Sequence, residues 1–575
     1  MSSYRYYNFK QLANTQVDIG GLLGGSFGQA VSTAPRVQKP GYFVAAMTTN
    51  ISPSLTNDFH YSYLRNYWEW GTASAPPQLP GLGGAVEIGG ESANALIPYN
   101  VNTQNVRQRF WDGQDNDFRD DLSLVKGNHL FQFGGQYQRN FDFHQRNDNG
   151  QGIMAANVYQ IASNPGLVFS AGNLNYIPST VPSSQNTNWQ TLYTEVLGIV
   201  SQPQTLYTRQ LPDLSLQPLG TPASDRSVIP TYSGYFSDVW RVKPSVTLTY
   251  GLSYTAEMPP YELDGKQVML VDSSGAPINA EDYLANRKKA ALAGQVYNPT
   301  LGFATLDNVT GNRKYPYDPF YGGFSPRLAV AWNPKFEHGF MKKVFGENST
   351  VIRGGYSRIY GRLNGVDLVL VPLLGTGLMQ AVSCQGAVKA SSAVNGSQCL
   401  GTGGANPQTA FRIGTDGMTA PLPSPAATLP QPYFSGVGGN ASAGDGSVLD
   451  PKFRPNYSDA FDFTIQRELI PGKVIFEAGY IGRRIRNEYQ AVDLDAVPYM
   501  TTLGGESFAT AFANTYQALA AGKMPAAQPF FEAAMGGASS AYCAGFANCT
   551  AAVASNEASN IRSTLVYTMW NNLAK

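Results

Sequence analysis

The stretch Pro244–Met258, PSVTLTYGLSYTAEM, sorts into two faces. Val246, Leu248, Tyr250, Leu252, Tyr254, Ala256 and Met258 share one parity, and Ser245, Thr247, Thr249, Gly251, Ser253, Thr255 and Glu257 share the other. Side chains alternate across a strand, so this segment predicts one long strand with an apolar face and a polar face. The pattern recurs along the chain. In 129–143, Phe131, Phe133, Gly135, Tyr137, Phe141 and Phe143 oppose Gln132, Gln136, Gln138, Asn140 and Asp142, and Arg139 is the one charge on the apolar side. Phe461, Phe463 and Ile465 oppose Asp462, Thr464 and Gln466; Leu55, Phe59, Tyr61 and Tyr63 oppose Thr56, Asp58, His60 and Ser62. In 473–483, Val474, Phe476, Ala478 and Tyr480 oppose Lys473 and Glu477, with Ile475 and Ile481 as exceptions.

This reading places strands at 2–9, 41–49, 55–65, 116–125, 129–143, 231–241, 245–258, 324–333, 350–360, 456–468, 474–484 and 563–570. The links between them alternate in length. Short ones, NISPS, KGN, VKP and LIPGK, and a medium one at 334–349, are separated by excursions at 10–40, 66–115, 144–230, 259–323, 361–455 and 485–562. Excursions of that length are uncommon in compact soluble domains. FQFGGQY, LTYGLSY, VIRGGYS and IFEAGYI each set Gly beside or near Tyr, a spacing suited to strand bends covered by a neighbouring aromatic ring.

Composition agrees with strands and long loops. Charged residues make up 14% of the chain, against about 25% in an average globular domain. Tyr (33), Phe (29), Gly (60) and Pro (37) are abundant. With a formal net charge of zero, no basic surface points to nucleic acid, and no nucleic-acid partner is expected. MSSYRYYNFK begins in a Tyr-rich, strand-like segment without the apolar run of a signal peptide. VDLVLVPLLGTGLMQAV at 366–382 is interrupted by Asp367, Pro372, Gly375 and Gly377. It is shorter than the roughly 20 apolar residues of a spanning helix, and reads as a loop.

Strands of this length, apolar on one side and joined by short turns at one end and long loops at the other, predict an outer-membrane barrel. Hydrocarbon demands that every backbone polar group pair internally, which a closed sheet achieves. Lipid then covers the apolar face. Trp240 and Trp332, near strand ends, suit an interfacial girdle. A soluble sandwich or propeller is the rival, and strand length, loop rhythm and scarce charge weigh against it.

YSGYFSDVWRVKPSVTLTYGLSYTAEMPPYE (232–262) resembles the hairpin of TonB-dependent outer-membrane transporters of the Oar-like type. GNHLFQFGGQYQRN, FSPRLAVAWNP, TVIRGGYSRIYGR and FTIQRELIPGKVIFEAGYIGRR look like successive barrel segments of that family, in the same order over about 42–490. The resemblance implies a barrel of about 22 strands, an N-terminal plug and an energy-transducing TonB-type partner. The fold expected here is therefore all-β: a transmembrane antiparallel barrel, with about twelve of those strands present and long extracellular loops. The chain is expected to be a middle portion of a larger barrel protein or a truncated product. Plug-like sequence is not found in it, and its last residues, MWNNLAK, do not form the aromatic-ended strand on which such barrels finish.

Sites of chemistry are sparse. Cys384 and Cys399, and Cys543 and Cys549, form two local pairs in Gly/Ala/Ser/Asn-rich stretches, read as loop disulfides of an oxidising compartment. Without nearby His they do not suit zinc. His60, His129, His144 and His338 build no catalytic or metal site. The acidic run DGQDNDFRDD (112–121), with Asp112, Asp115, Asp117, Asp120 and Asp121, lacks EF-hand order and reads as a solvated loop leading into a strand. GLLGGSFG (21–28) and GLGGAVEIGG (81–90) lack the Lys-Ser/Thr of a phosphate loop and read as flexible loops. No catalytic residue, cofactor or metal is expected, and the chain is read as a non-enzyme. The expected function is uptake of a scarce nutrient, a glycan or a metal chelate, across the bacterial outer membrane. Its partners would be outer-membrane lipid, a TonB-type protein and a small-molecule or oligosaccharide ligand. The second reading is an adhesin-like or secreted β-rich binding protein. Loop segments such as NVYQIASNPG and TNWQTLYTEV read as ordinary loop polarity ahead of a sugar site.

Overall fold

A computed structural model describes residues 1–575 except 13–14, 19–24, 33–34, 72–78, 89–107, 150–152, 163–164, 170–175, 293–296, 298, 363–376, 402, 435–447, 493, 495–500, 541 and 574–575. The chain divides into two units: residues 1–269, 303–449 and 453–489, and residues 270–302, 450–452 and 490–575.

The first unit is built on one antiparallel sheet. Its strands are β1 (Ser2–Tyr6), β2 (Gly41–Ser52), β3 (Leu55–Gly71), β4 (Gln108–Lys126), β5 (His129–Arg146), β6 (Ala223–Lys243), β7 (Val246–Glu257), β8 (Phe324–Trp332), β9 (Thr350–Tyr360), β10 (Tyr457–Ile470) and β11 (Val474–Arg486). They pair in chain order from β1 to β11, so among the described residues the sheet is a meander. Three short strands, Phe9–Gln11, Arg36–Gln38 and Tyr261–Glu262, attach beside this path. The first expected strand, 2–9, is thus divided. Ser2–Tyr6 pairs with β2, while Phe9–Gln11 pairs with Arg36–Gln38.

Register carries the alternation across the sheet. Phe131 lies opposite Leu124, Phe133 opposite Phe236, Phe236 opposite Leu252, Tyr250 opposite Leu328, Tyr356 opposite Phe461 and Phe463 opposite Tyr480. One face is therefore a continuous apolar band. The other carries Gln132, Gln136, Ser233, Ser237, Thr249, Ser253 and Thr464. A one-residue slip would send every aromatic ring to the polar side, so burial in lipid specifies the register. Trp240 and Trp332 stand on the apolar face at the short-link end, Trp240 stacked 5.2 Å from His129.

β3 to β6 run further than the alternation in the sequence shows. β6 has 21 residues. At about 3.3 Å per residue and a tilt near 40°, such a strand rises roughly 50 Å, about twice the height of an apolar band. Beyond the band both faces meet water or loops, so the polarity signal fades while the hydrogen-bond ladder continues. Among the described residues no helix is long and apolar enough to cross a membrane. Of the 366–382 segment, 366–376 lies outside the described residues, and Met379–Ser383 is a strand. Residues 21–24 and 89–90 of the two Gly-rich stretches also lie outside them; Gly84–Ile88 is a strand rather than a flexible loop.

The second unit is largely helical. Its helices include Ala280–Leu292, Phe508–Ala520, Pro529–Ala534, Cys549–Asn556, Ala558–Arg562 and Val566–Leu573. Ser507 and Asn548 cap two of them, accepting from Thr510 N at 3.1 Å and from Ala551 N at 2.7 Å. The strand expected at 563–570 is corrected to a helix. Val566, Met569, Trp570 and Leu573 fall on one helical face against a core of Phe508, Phe530, Phe531, Val553 and Ile561. The Trp570 ring centroid lies 5.2 Å from that of Phe508. The expected 485–562 excursion is likewise occupied by helices from Phe508 onward.

Candidate functional site

The acidic run 112–121 is part of β4 rather than a loop, and the pleat divides it between two faces. Asp115, Asp117 and Asp121 share the polar face, where β5 and β6 supply donors. Gln138 Nε2 donates to Asp115 at 2.6 Å, Gln136 Nε2 to Asp117 at 2.7 Å and Tyr235 Oη to Asp121 at 2.7 Å. Asp112 and Asp120 take the other face. Asp112 receives both Nε and Nη2 of Arg65 at 2.7 Å, and Asp120 accepts from Asn57 Nδ2 at 2.6 Å. The polar wall is thus a ladder of carboxylates, amides and hydroxyls. It offers acceptors and donors to a solute or protein surface without a nucleophile–base pair.

The wall ends at an aromatic and ionic rim on the long-excursion side. Trp68, Trp111 and His144 are cross-strand neighbours, with ring centroids 4.2 and 4.1 Å apart in sequence across β3, β4 and β5. Above them, Trp70 lies between the guanidinium groups of Arg36 and Arg109, at 4.9 and 5.0 Å. Asp148, just past β5, is fully buried and accepts from Arg109 Nε at 2.7 Å and from Arg146 Nη2 at 2.5 Å. Burial opposes its charge, but the bonds from Arg109 and the proximity of Arg146 prevail and hold its carboxyl at about 2.

Three excursions fold together beyond the rim. Gly84–Ile88 pairs in parallel with Asn157–Ile161, which pairs antiparallel with Val200–Gln210; that strand in turn pairs with Met379–Ser383 and Ser215–Leu216. The resulting small sheet covers a core of Leu82, Val86, Tyr159, Ile161, Val200 and Phe411. Arg209 is buried here. Its Nη1 donates to Leu214 O at 2.8 Å, and its Nη2 to Gln380 Oε1 at 2.6 Å and Ala426 O at 2.8 Å, which joins separate loops through one side chain. Local sequence signals did not reveal this cap, because its strands pair across long separations. The one available cue was the apolar spacing within NVYQI and GAVEI.

Cys384 is bonded to Cys399 (S–S 2.09 Å) inside the cap core, and Cys543 to Cys549 (1.99 Å) in the helical unit. The histidines are dispersed. His129 and His144 stand at opposite ends of β5, His60 Nε2 lies 2.8 Å from Asp58, His129 Nδ1 lies 2.7 Å from Asp238, and His338 precedes the short helix Gly339–Phe345. Among the described residues no three His, Cys, Asp or Glu side chains gather as metal ligands.

A membrane-spanning antiparallel sheet with one lipid-facing side, a polar wall and loops folded into a cap defines an outer-membrane β-barrel protein. The chain belongs to the outer membrane beta barrel domain family, which matches residues 1–559, and its place is the bacterial outer membrane. No curated protein matches it. Among solved structures it is similar to the outer membrane transporter YddB from Escherichia coli, at 11% identity and TM-score 0.34, over 84% of this chain and 37% of that one. It is also similar to the siderophore receptor PiuA from Acinetobacter baumannii (10%, 0.31, 84% and 46%). A third is the ferric-catecholate import receptor Fiu from E. coli K12 (10%, 0.24, 86% and 58%). The chain therefore spans between 37% and 58% of the length of these three structures.

Proposed function

We propose that this chain is the barrel portion of a TonB-dependent receptor of the Oar-like type, taking up a scarce nutrient across the outer membrane. The observation that carries the reading is the cap: three excursions from one end of the sheet build a common hydrophobic core beside a polar wall. Such an arrangement suits capture of a solute at the cell surface and its passage along donors and acceptors. The co-linear strand motifs at 127–140, 232–262, 324–334, 350–362 and 463–484 support the family assignment. A plug and a TonB-type protein would supply the movement that releases the ligand. The nutrient is a glycan or a metal chelate, and the aromatic rim of Trp68, Trp70 and Trp111 is placed to report its arrival.

Titration of the purified full chain in detergent against a panel of ferric chelates and oligosaccharides tests this. Saturable quenching of tryptophan fluorescence by one class, weakened when Trp111 is replaced by Phe, is expected. Absence of binding to every class, together with unaltered growth of a gene deletion strain in nutrient-poor medium, would refute it.

A further inference from the structure

The apolar face of β5 and β6 has a gap. Gly135 and Gly234 lie directly opposite one another, between Phe133 and Phe236 on one side and Tyr137 and Tyr232 on the other. The two tyrosine rings are 5.2 Å apart. A Cβ placed on either glycine would meet nothing nearer than 3.7 Å at Gly135 or 3.6 Å at Gly234. Two adjacent side chains are therefore missing from an otherwise filled surface. A groove of about 690 Å³ opens here, walled by Leu122, Phe133, Tyr137 and Tyr232, with Gly134 and Gly135 in its floor. Asp120 borders it, its carboxylate held by Asn57 Nδ2 at 2.6 Å.

Above the groove, on the same face, stands Arg139, opposite Pro230. Its guanidinium is 5.8 Å from the Phe141 ring. Phe141 pairs with Val228, and Val228 with Tyr261, over whose ring Lys314 Nζ sits at 5.3 Å. Several other charges on this face are paired, Arg65 with Asp112, Arg358 with Asp459, and Asp238 with His129. Among the described residues Arg139 and Lys314 have no carboxylate partner. Depth matches chemistry. Gly135 is six positions into β5 and Arg139 ten, so they lie about 15 Å and about 25 Å above the short turn, mid-band and outer edge respectively.

We propose that this ladder binds one anionic, phosphate-bearing lipid of the outer leaflet. Arg139 and Lys314 take the phosphate, and an acyl chain passes Tyr137 and Tyr232 to fill the groove over Gly135. The groove is continuous with the hydrocarbon-facing band, so an acyl chain is what reaches it, and two uncompensated cations at the rim select the headgroup. The site is independent of the transport reading and requires only that this face meets lipid.

Native mass spectrometry of the full chain in detergent, titrated with phosphatidylglycerol and separately with phosphatidylcholine of the same acyl chains, tests it. One phosphatidylglycerol per chain is expected to persist. The pair Arg139→Gln and Lys314→Gln should weaken it roughly twenty-five-fold, from about fivefold per cation. Gly135→Leu fits the open space and should displace the acyl chain while heat-modifiable gel migration stays unchanged. Equal retention of phosphatidylcholine, undiminished phosphatidylglycerol binding in either variant, or a protein dimer in place of the lipid adduct would overturn the proposal.

Discussion

Asp148 offers a worked test of the rim. Its carboxylate joins the outer ends of β4 and β5 through Arg109 and Arg146, whose side chains are 16% and 5% exposed. The carboxyl sits at about 2, against an ordinary 3.8. At about 1.4 kcal/mol per pKa unit, that depression corresponds to roughly 2.5 kcal/mol. Because the folded value lies below the unfolded one, this contribution is complete above the ordinary carboxylate range. It is lost as pH falls from about 4 through about 2. Asp148→Asn removes the charge that the buried Arg146 and the half-buried Arg109 share, so its cost at pH 6 is about 3 kcal/mol. The readout is hydrogen exchange at Asn149 and Ala155, whose amides bond to Ile153 O and Asn147 O at 3.0 and 2.6 Å. Exchange there should accelerate roughly a hundredfold in the variant at pH 6. Toward pH 2 the difference from the parent should close. Equal protection at pH 6, or a gap that widens on acidification, would refute the clasp.

Other perturbations separate the parts of the molecule. Replacing Cys384 and Cys399 with Ala opens a link across a separation of 15 residues, worth about 3 kcal/mol; limited proteolysis should then cut within 147–222 and 377–434 while the main sheet keeps its heat-modifiable migration. Leu252→Arg puts a charge on the lipid face and should cost about 2–4 kcal/mol in urea unfolding from vesicles, whereas Ser253→Arg, facing the polar wall, should cost little; the opposite order would contradict the assigned faces. Phe530→Ala empties a fully buried position and should destabilise the helical unit by about 3–5 kcal/mol. Loss of helical circular dichroism at lower temperature, with the sheet signal unmoved, would show it.

The two-residue period made most of the sheet legible, since lipid on one side leaves an imprint in every second residue. Val246 to Glu257, Phe324 to Trp332 and Thr350 to Tyr360 lie where alternation places them. Asp112 to Asp121 read as a loop because five acids in ten residues look solvated. The local pattern does not show that Gln136, Gln138 and Tyr235 on neighbouring strands satisfy three of them. The segment 563–570 reads as a strand, yet packing of Met569 and Trp570 against Phe508 overrides the strand propensity of its Val, Tyr and Thr. The cap escaped notice because it depends on pairings such as Leu206 with Ala381, between residues too distant for periodicity to connect.

One face of the sheet meets hydrocarbon and the other a polar interior. Nitroxide labels placed singly from Val246 to Glu257, in the chain reconstituted in vesicles, measure this directly. Collisions with oxygen should peak at Val246, Leu248, Tyr250, Leu252 and Tyr254, and collisions with a water-soluble nickel complex at Thr247, Thr249, Gly251, Ser253 and Thr255. Equal access of the nickel complex to both sets, without a two-residue period, would refute this division of the faces.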